Sequence, residues 1–189
     1  MIMDPMSHPA LYLDRDGVVN RDLGYVYEPC SFQFLDGVFD LCRLAQDNRY
    51  KIIVVTNQSG IGRGIYRESD FHALTGWMEA RFLEQGIRIT GTYHCPHHPT
   101  QAKGRYLKDC DCRKPRPGML LRAAREHHLD LGHSILVGDK LTDLEAAQAA
   151  GIRRRYWFVS GKNSVPDRQL VTAMVESHHE LMELLKREL

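Results

Sequence analysis

Short apolar runs alternate along the chain with longer stretches in which apolar residues recur every three or four positions. Residues 11–13 are apolar and end at Asp14. Residues 51–55 (KIIVV) are β-branched and stop at the polar stretch Thr56, Asn57, Gln58, Ser59 and Gly60, the pattern of a buried strand. Residues 89–94, 134–137 and 156–159 are further strand candidates; residues 134–137 run into Gly138 and Asp139, and residues 156–159 follow Arg153, Arg154 and Arg155. The intervening segments read as helices. Val38, Leu41, Cys42 and Ala45 share one face, and a helix capped by Ser69 aligns Phe71, Leu74, Met78 and Phe82. Pro117 opens a helix carrying Leu120, Leu121 and Ala124, and residues 142–150 are Ala-rich and stop at Gly151. Ser177 and Glu180 have the spacing of a capping box ahead of Leu181, Leu184 and Leu185. All these stripes are expected to pack the core.

Alternating strands and helices predict an α/β fold: a Rossmann-like parallel sheet with helices on both faces, because parallel neighbours need a crossover. In open sheets of this kind, ligands bind beyond the carboxyl ends of the strands. Three predicted strands end in polar groups: Asp14-Arg15-Asp16, Thr56-Asn57 and Gly138-Asp139-Lys140. They lie far apart in sequence and are expected to meet at one sheet edge.

Composition narrows the class. The 189 residues, 43% of them hydrophobic, suit a single domain spanning residues 1–189. The net charge of +1 argues against a dedicated nucleic-acid or membrane-surface binder. The longest strongly apolar run, residues 52–55, is too short to cross a bilayer. Residues 1–9 lack the apolar core of a signal peptide, so a cytoplasmic protein is expected. The five cysteines are odd in number, and three crowd together near histidines, which reads as metal binding rather than a disulfide framework.

If the extended backbone continues past Asp14, Asp14 and Asp16 face one site, as a nucleophile with an acid/base partner or as Mg²⁺ ligands. Read alone, the same residues make an Asx-rich turn. Thr56 and Asn57 offer a hydroxyl and an amide, alone suited to capping. Asp143, four residues after Asp139, suits the positive end of a helix. Lys114 alone would be a surface lysine. Cys95 and His97, then Cys110 and Cys112 after twelve residues, supply three thiolates and an imidazole for tetrahedral zinc, with His98 an alternative to His97. Four protein ligands leave no open position, so this zinc would be structural. Cys112 precedes Arg113 and Lys114, and a zinc-clamped loop would fix that lysine.

The joint order is Asp-x-Asp-Gly, Thr-Asn after a strand, Lys before a helix, and Gly-Asp after a strand. It resembles the haloacid dehalogenase-like phosphatase superfamily. The resemblance implies that Asp14 is the nucleophile forming an aspartyl-phosphate and that Asp16 protonates the leaving oxygen and then activates water. It further implies that Thr56 and Lys114 hold phosphoryl oxygens, and that Mg²⁺ sits on Asp14, the backbone carbonyl of Asp16, and Asp139. Adding Gly24-Tyr25-Val26, Gln58-Ser59-Gly60-Ile61, Cys95-Pro96-His97-His98-Pro99 and Cys110-Asp111-Cys112-Arg113-Lys114-Pro115, the chain is similar over residues 10–161 to the heptose 1,7-bisphosphate 7-phosphatase family.

That similarity implies substrate contacts from Asp22, Leu23, Gly24, Tyr25, Asn57, Gln58, Ser59, Arg113 and Lys140, and structural zinc on Cys95, His97, Cys110 and Cys112. It also implies a small-molecule sugar bisphosphate as partner, no nucleic acid or membrane, a monomer, and a place in nucleotide-heptose synthesis for lipopolysaccharide core. The intervals 17–56 and 57–113 are too short for a large cap domain, so the zinc loop and the Asp22–Tyr25 loop are expected to shape the pocket. Histidinol phosphate is the alternative substrate, because a related phosphatase shares these motifs. A polynucleotide 3′-phosphatase would need a basic, aromatic stripe that the chain lacks. A zinc-stabilised binding module would have no use for the nucleophile set. Arg63 is either a second-phosphate contact or a solvated arginine, and residues 153–155 read as a solvated strand entry.

Overall fold

The computed structural model describes residues 7–159 and 167–187. The readings made of residues 1–6 and of the Lys162 boundary lie outside them. Six strands, β1 (Ala10–Leu13), β2 (Lys51–Asn57), β3 (Ile89–Cys95), β4 (Ile135–Gly138), β5 (Arg154–Phe158) and β6 (Ala173–Val175), form one sheet. Every pairing is parallel and the order is β3-β2-β1-β4-β5-β6. The helices are α1 (Val38–Asp47), α2 (Ser59–Arg63), α3 (Glu68–Glu84), α4 (Gly118–His127), α5 (Leu141–Ala150) and α6 (His178–Leu185).

The side-chain period of two divides the strands between two cores. Leu11, Leu13, Ile52 and Val54 pack with residues of α1, α3 and α6. Ala10, Tyr12, Ile53 and Val55 pack with residues of α4 and α5. Helices therefore cover both faces, as the α/β pattern predicts. Burying each aliphatic side chain in these layers contributes about 1.5–3 kcal/mol. The four predicted α1 residues and the four predicted α3 residues are all buried.

Several local details differ from expectation. Arg67, not Ser69, holds the N-cap position of α3: the Asp70 carboxylate accepts the Arg67 backbone N–H at 2.8 Å and the Arg67 carbonyl accepts the Asp70 N–H at 3.1 Å, a closure that fixes the start two residues earlier. In α4 the fully buried residues are Met119, Leu120 and Ala123, while Leu121 and Ala124 are partly buried against the same core. Ser177 caps α6 by accepting the Glu180 N–H at 3.1 Å, but the Glu180 carboxylate turns to the Glu176 N–H. Strand β6 and helix α2 were not expected from the pattern. Residues 153–155 are less solvated than expected, because the Arg155 guanidinium donates to the backbone carbonyls of Leu170 (2.8 Å) and Ile152 (2.7 Å) and ties β5 to the approach of β6. Among the described residues, no helix is long and apolar enough to cross a membrane.

Candidate active site

With β1 flanked by β2 and β4, the three polar strand ends lie side by side. Strand β1 stops at Leu13 because the Arg15 carbonyl accepts the N–H groups of Val18, Val19 and Asn20 at 3.4, 2.8 and 3.1 Å. The extended backbone thus does not continue, and the two carboxylates take different surroundings. Asp14 is buried; its Oδ1 accepts from Lys114 Nζ at 2.9 Å and from the Arg15 N–H at 2.8 Å. Asp16 accepts from the Arg15 guanidinium (2.9 Å), Asn20 Nδ2 (3.1 Å) and Gln58 Nε2 (2.9 Å). Arg15 is itself buried and donates to the Val26 carbonyl at 2.8 Å, so it fixes Asp16 from the protein side.

Lys114 is 2% exposed, the reverse of a surface lysine. Its ammonium meets three acceptors: the Val55 carbonyl (2.9 Å), Asp14 Oδ1 (2.9 Å) and Asp143 Oδ1 (2.7 Å). Burial alone would lower its pKa, but Asp14 and Asp143 hold it above the usual lysine value. Burial pushes the Asp14 carboxyl up, against the pull of Lys114. Asp143 does more than favour a helix end. Its Oδ2 accepts the Lys140 N–H at 2.9 Å, closing the first turn of α5, while carboxylate oxygens of Asp14, Asp139 and Asp143 lie within 4.8 Å of one another. Gly17, at φ +97°, leaves room for this cluster: a Cβ there would sit 2.1 Å from Asp139 Oδ2. Asp16 is not part of it through its side chain, so any metal contact from Asp16 would go through its backbone carbonyl.

Beside the cluster is a cavity of about 230 Å³ lined by Asp16, Asp22, Gly24, Tyr25, Asn57, Gln58, Ser59, Gly60, Tyr66 and Lys140. Most of the expected substrate-contact residues meet here. Lys140 Nζ bridges to Asp22 at 3.0 Å; burial would raise the Asp22 pKa, but Lys140 holds it below the usual carboxylate range. Gly60 is required by close packing, since a Cβ would fall 2.2 Å from the Tyr66 ring and 2.8 Å from that of Tyr25.

Leu23 and Arg113 are placed elsewhere. Leu23 lines an adjoining cavity of about 560 Å³ with Arg21, Leu35 and Phe158, and Arg113 donates to the His97 carbonyl at 3.1 Å. The side-chain amides of Asn57 and Gln58 act inward. Asn57 exchanges two 3.1 Å bonds with the Lys114 backbone. Gln58 donates to both Asp16 and Thr56 Oγ1 (2.8 Å) and accepts from the Tyr66 hydroxyl. The Arg63 guanidinium lies over the Tyr25 ring, 5.9 Å from its centroid.

Cys95, His97, Cys110 and Cys112 converge in the loop that carries Lys114. Their S···S and S···N separations run from 3.2 to 3.6 Å. A disulfide is far shorter, about 2.05 Å, whereas bonds of about 2.3 Å to sulfur and 2.0 Å to nitrogen give tetrahedral edges of roughly 3.5–3.8 Å. The donor set therefore fits a tetrahedral cation. His98 turns away, its Nδ1 accepting the N–H groups of Thr100 and Gln101 at 3.2 and 3.1 Å, which decides between the two histidines.

The comparisons with known proteins agree with this geometry. A family model described as HAD-hydrolase-like matches residues 111–181. The D-glycero-beta-D-manno-heptose-1,7-bisphosphate 7-phosphatase of Vibrio cholerae is 42% identical over 183 residues, 96% of this chain and 98% of that one. The chain belongs to the heptose 1,7-bisphosphate 7-phosphatase family. The Escherichia coli member is 45% identical over 85% of this chain and 84% of its own. A Burkholderia mallei relative named for the alpha anomer is 52% identical over 78% of each. The crystal structure of the D,D-heptose 1,7-bisphosphate phosphatase of B. bronchiseptica, complexed with magnesium and phosphate, superposes with a TM-score of 0.81 at 30% identity, covering 96% of this chain and 99% of that one.

Within this site, sequence reasoning named Arg15 and Gly17 as motif members without a role, overlooked Tyr66 and gave Asp143 too small a part. The four-residue spacing from Asp139 to Asp143 was the one available signal. Nothing local marks Tyr66, which lines the cavity and holds the Gln58 amide oxygen.

Proposed function

We propose that the chain is a magnesium-dependent phosphomonoesterase. It removes the C7 phosphate of D-glycero-D-manno-heptose 1,7-bisphosphate, retains the C1 phosphate, and serves nucleotide-heptose supply in the cytoplasm as a single-domain monomer. One observation carries the reaction class: a buried carboxylate, Asp14, bonded to a buried lysine and beside two further carboxylates, one of which, Asp139, lines a cavity. The substrate rests on the relatives named above.

In this reading an Asp14 carboxylate oxygen attacks phosphorus, and the bond to the C7 oxygen breaks as Asp16 delivers a proton to that oxygen. Asp16 then takes a proton from the water that hydrolyses the aspartyl-phosphate, and inorganic phosphate leaves. Arg15 and Gln58 hold Asp16 in one orientation for both transfers. Thr56 and Lys114 hold the phosphoryl oxygens, and Lys114 offsets part of the charge a phosphate brings to Asp14. Asp14, Asp139 and the Asp16 carbonyl would hold Mg²⁺, with Asp143 supporting the cluster. Hard carboxylate oxygens and the room left by Gly17 fit that ion. When bound, Mg²⁺ supplies charge neutralisation at the transferring phosphoryl group. Cys95, His97, Cys110 and Cys112 would hold structural Zn²⁺ and so fix the backbone from which Arg113 and Lys114 project.

The test is kcat/KM in Mg²⁺ for both anomers of the heptose bisphosphate and for histidinol phosphate, with Asp14→Asn as control. The bisphosphate is expected to be preferred. Asp14→Asn is expected to lose roughly 10³-fold or more, about 4 kcal/mol of barrier. A preference for histidinol phosphate would overturn the substrate, and a tenth of the activity retained in Asp14→Asn would overturn the mechanism.

A further inference from the structure

A second group of metal-binding side chains lies outside both centres described above. Glu68 and His72 are one turn apart on α3, and His94 is on β3, which α3 packs against. Residues four apart on a helix share a face, and here that face meets the strand. Ligand atoms of the three residues lie within 4.8 Å of one another. His94 Nε2 faces Glu68 Oε1 at 3.4 Å, beyond the usual hydrogen-bond range of about 2.7–3.2 Å. It is buried and makes no hydrogen bond. Bonds of about 2.1 Å from one cation to nitrogen and oxygen would give a tetrahedral edge of roughly 3.4 Å.

The ligands are also oriented. Tyr106 donates its hydroxyl to Glu68 Oε2 at 2.9 Å, which leaves Oε1 directed at His94. The His94 ring packs on Phe71, with centroids 4.2 Å apart, and stands edge-on to His72. Such outer partners fix the direction of ligating groups. His72 is exposed, and His72 and His94 both line a cavity of about 400 Å³, so a cation has a route in. The group shares no ligand with the cysteine centre, although Cys112 lines the same cavity: successive residues of a strand point to opposite faces, so His94 and Cys95 diverge, and Cys95 packs in the core shared with α4 and α5.

We propose that Glu68, His72 and His94 form a third metal site, which takes a borderline divalent transition cation such as Zn²⁺. Two imidazoles select against Mg²⁺, which prefers an all-oxygen shell, and three protein ligands leave a coordination position open, unlike the four-ligand cysteine centre.

The probe is Zn²⁺ itself, titrated into tag-free, zinc-replete protein in magnesium-containing buffer at neutral pH and read by calorimetry and metal analysis. A second equivalent is expected, weaker than the first. His72→Ala and Glu68→Gln are each expected to weaken it by ~10-fold or more while leaving the first equivalent in place, which also shows that the variants are folded. Co²⁺ added to zinc-replete protein gives an independent reading: the added equivalent is expected to show d–d absorption without thiolate charge transfer. Binding of one equivalent in all, a second equivalent unaffected by His72→Ala, or thiolate charge transfer from the added cobalt would overturn the proposal.

Discussion

Replacing Lys114 by methionine is expected to cost roughly 3–5 kcal/mol of folding stability in magnesium-free buffer, the range for removing one partner of a buried ion pair. The side chains keep a similar length, so the change is chiefly electrostatic. Lys114 separates two carboxylates, Asp14 at 2.9 Å and Asp143 at 2.7 Å, whose side chains are 6% and 1% exposed. Without the ammonium both face each other in a buried site, and a loss of this size is a large fraction of the about 5–15 kcal/mol that holds a domain together. Protonation limits the damage, because burial already pushes the Asp14 carboxyl upward even with Lys114 present. In the variant its folded pKa rises further above the unfolded value of about 3.9. Between those two values the native state binds more protons than the unfolded chain, so stability falls as pH rises. The gap between wild type and variant should therefore be smallest near pH ~4 and widen above it. Urea unfolding at a series of pH values, with zinc retained, measures this. Adding Mg²⁺ should recover part of the loss by binding the native carboxylate cluster. A variant within about 1 kcal/mol of wild type at neutral pH, with the same pH dependence, would show that the Lys114 pairs are not what keeps this cluster folded.

Gly17→Ala would place a Cβ against Asp139, so half-saturation of activity by Mg²⁺ is expected to shift upward by ~10-fold or more; an unchanged titration would refute the placement of the ion. Cys112→Ser is expected to lower zinc content, melting temperature and phosphatase activity together, and a zinc-free variant of normal activity would separate the cysteine centre from Lys114. His178 is fully buried, donates Nδ1–H to the Asp36 carbonyl at 2.9 Å, and is held by burial below the usual histidine pKa. The unfolded chain takes up the proton first, so stability should fall as pH drops below about 6.5. The melting temperature of His178→Gln should vary less between about pH 7 and about pH 5, and parallel curves for variant and wild type would exclude His178 as the source.

The layers were legible because the pattern that encodes them is local. Leu11 and Leu13 alternate with Tyr12, and Ile52 and Val54 with Ile53 and Val55, so the two faces are written within a few residues. The elements that escaped lack such a pattern. Strand β6 has three residues, of which Val175 alone is buried, and its place is set by pairing with Tyr156, Trp157 and Phe158. Helix α2 contains Gly60 and Gly62, poor helix formers that the Tyr25 and Tyr66 rings and the Pro96 carbonyl require at those points. Ser69 is a good cap by type, yet the bond donated by the Arg67 backbone N–H to the Asp70 carboxylate places the boundary two residues earlier.

The site divides in the same way. Asp14, Thr56 and Asp139 can be named from sequence because each ends a recognisable strand, and the sheet order β2-β1-β4 brings those ends together. Their charge partners cannot be named so. Lys114 enters from a loop 100 residues beyond Asp14; the joint motif order singles it out, but its burial against Val55, Asp14 and Asp143 follows only from the fold. Asp143 carries two signals at once. Its Oδ2 performs the capping that sequence suggests, and this fixes its Oδ1 on Lys114. The helix cap is thus part of the electrostatics of the site. Gln58 follows the same logic, since its amide joins Asp16 to Thr56 while its own oxygen is held by Tyr66. Motifs mark the groups proposed to meet a phosphate. The groups that set their charge and direction come from distant turns and follow only once the strand order is known.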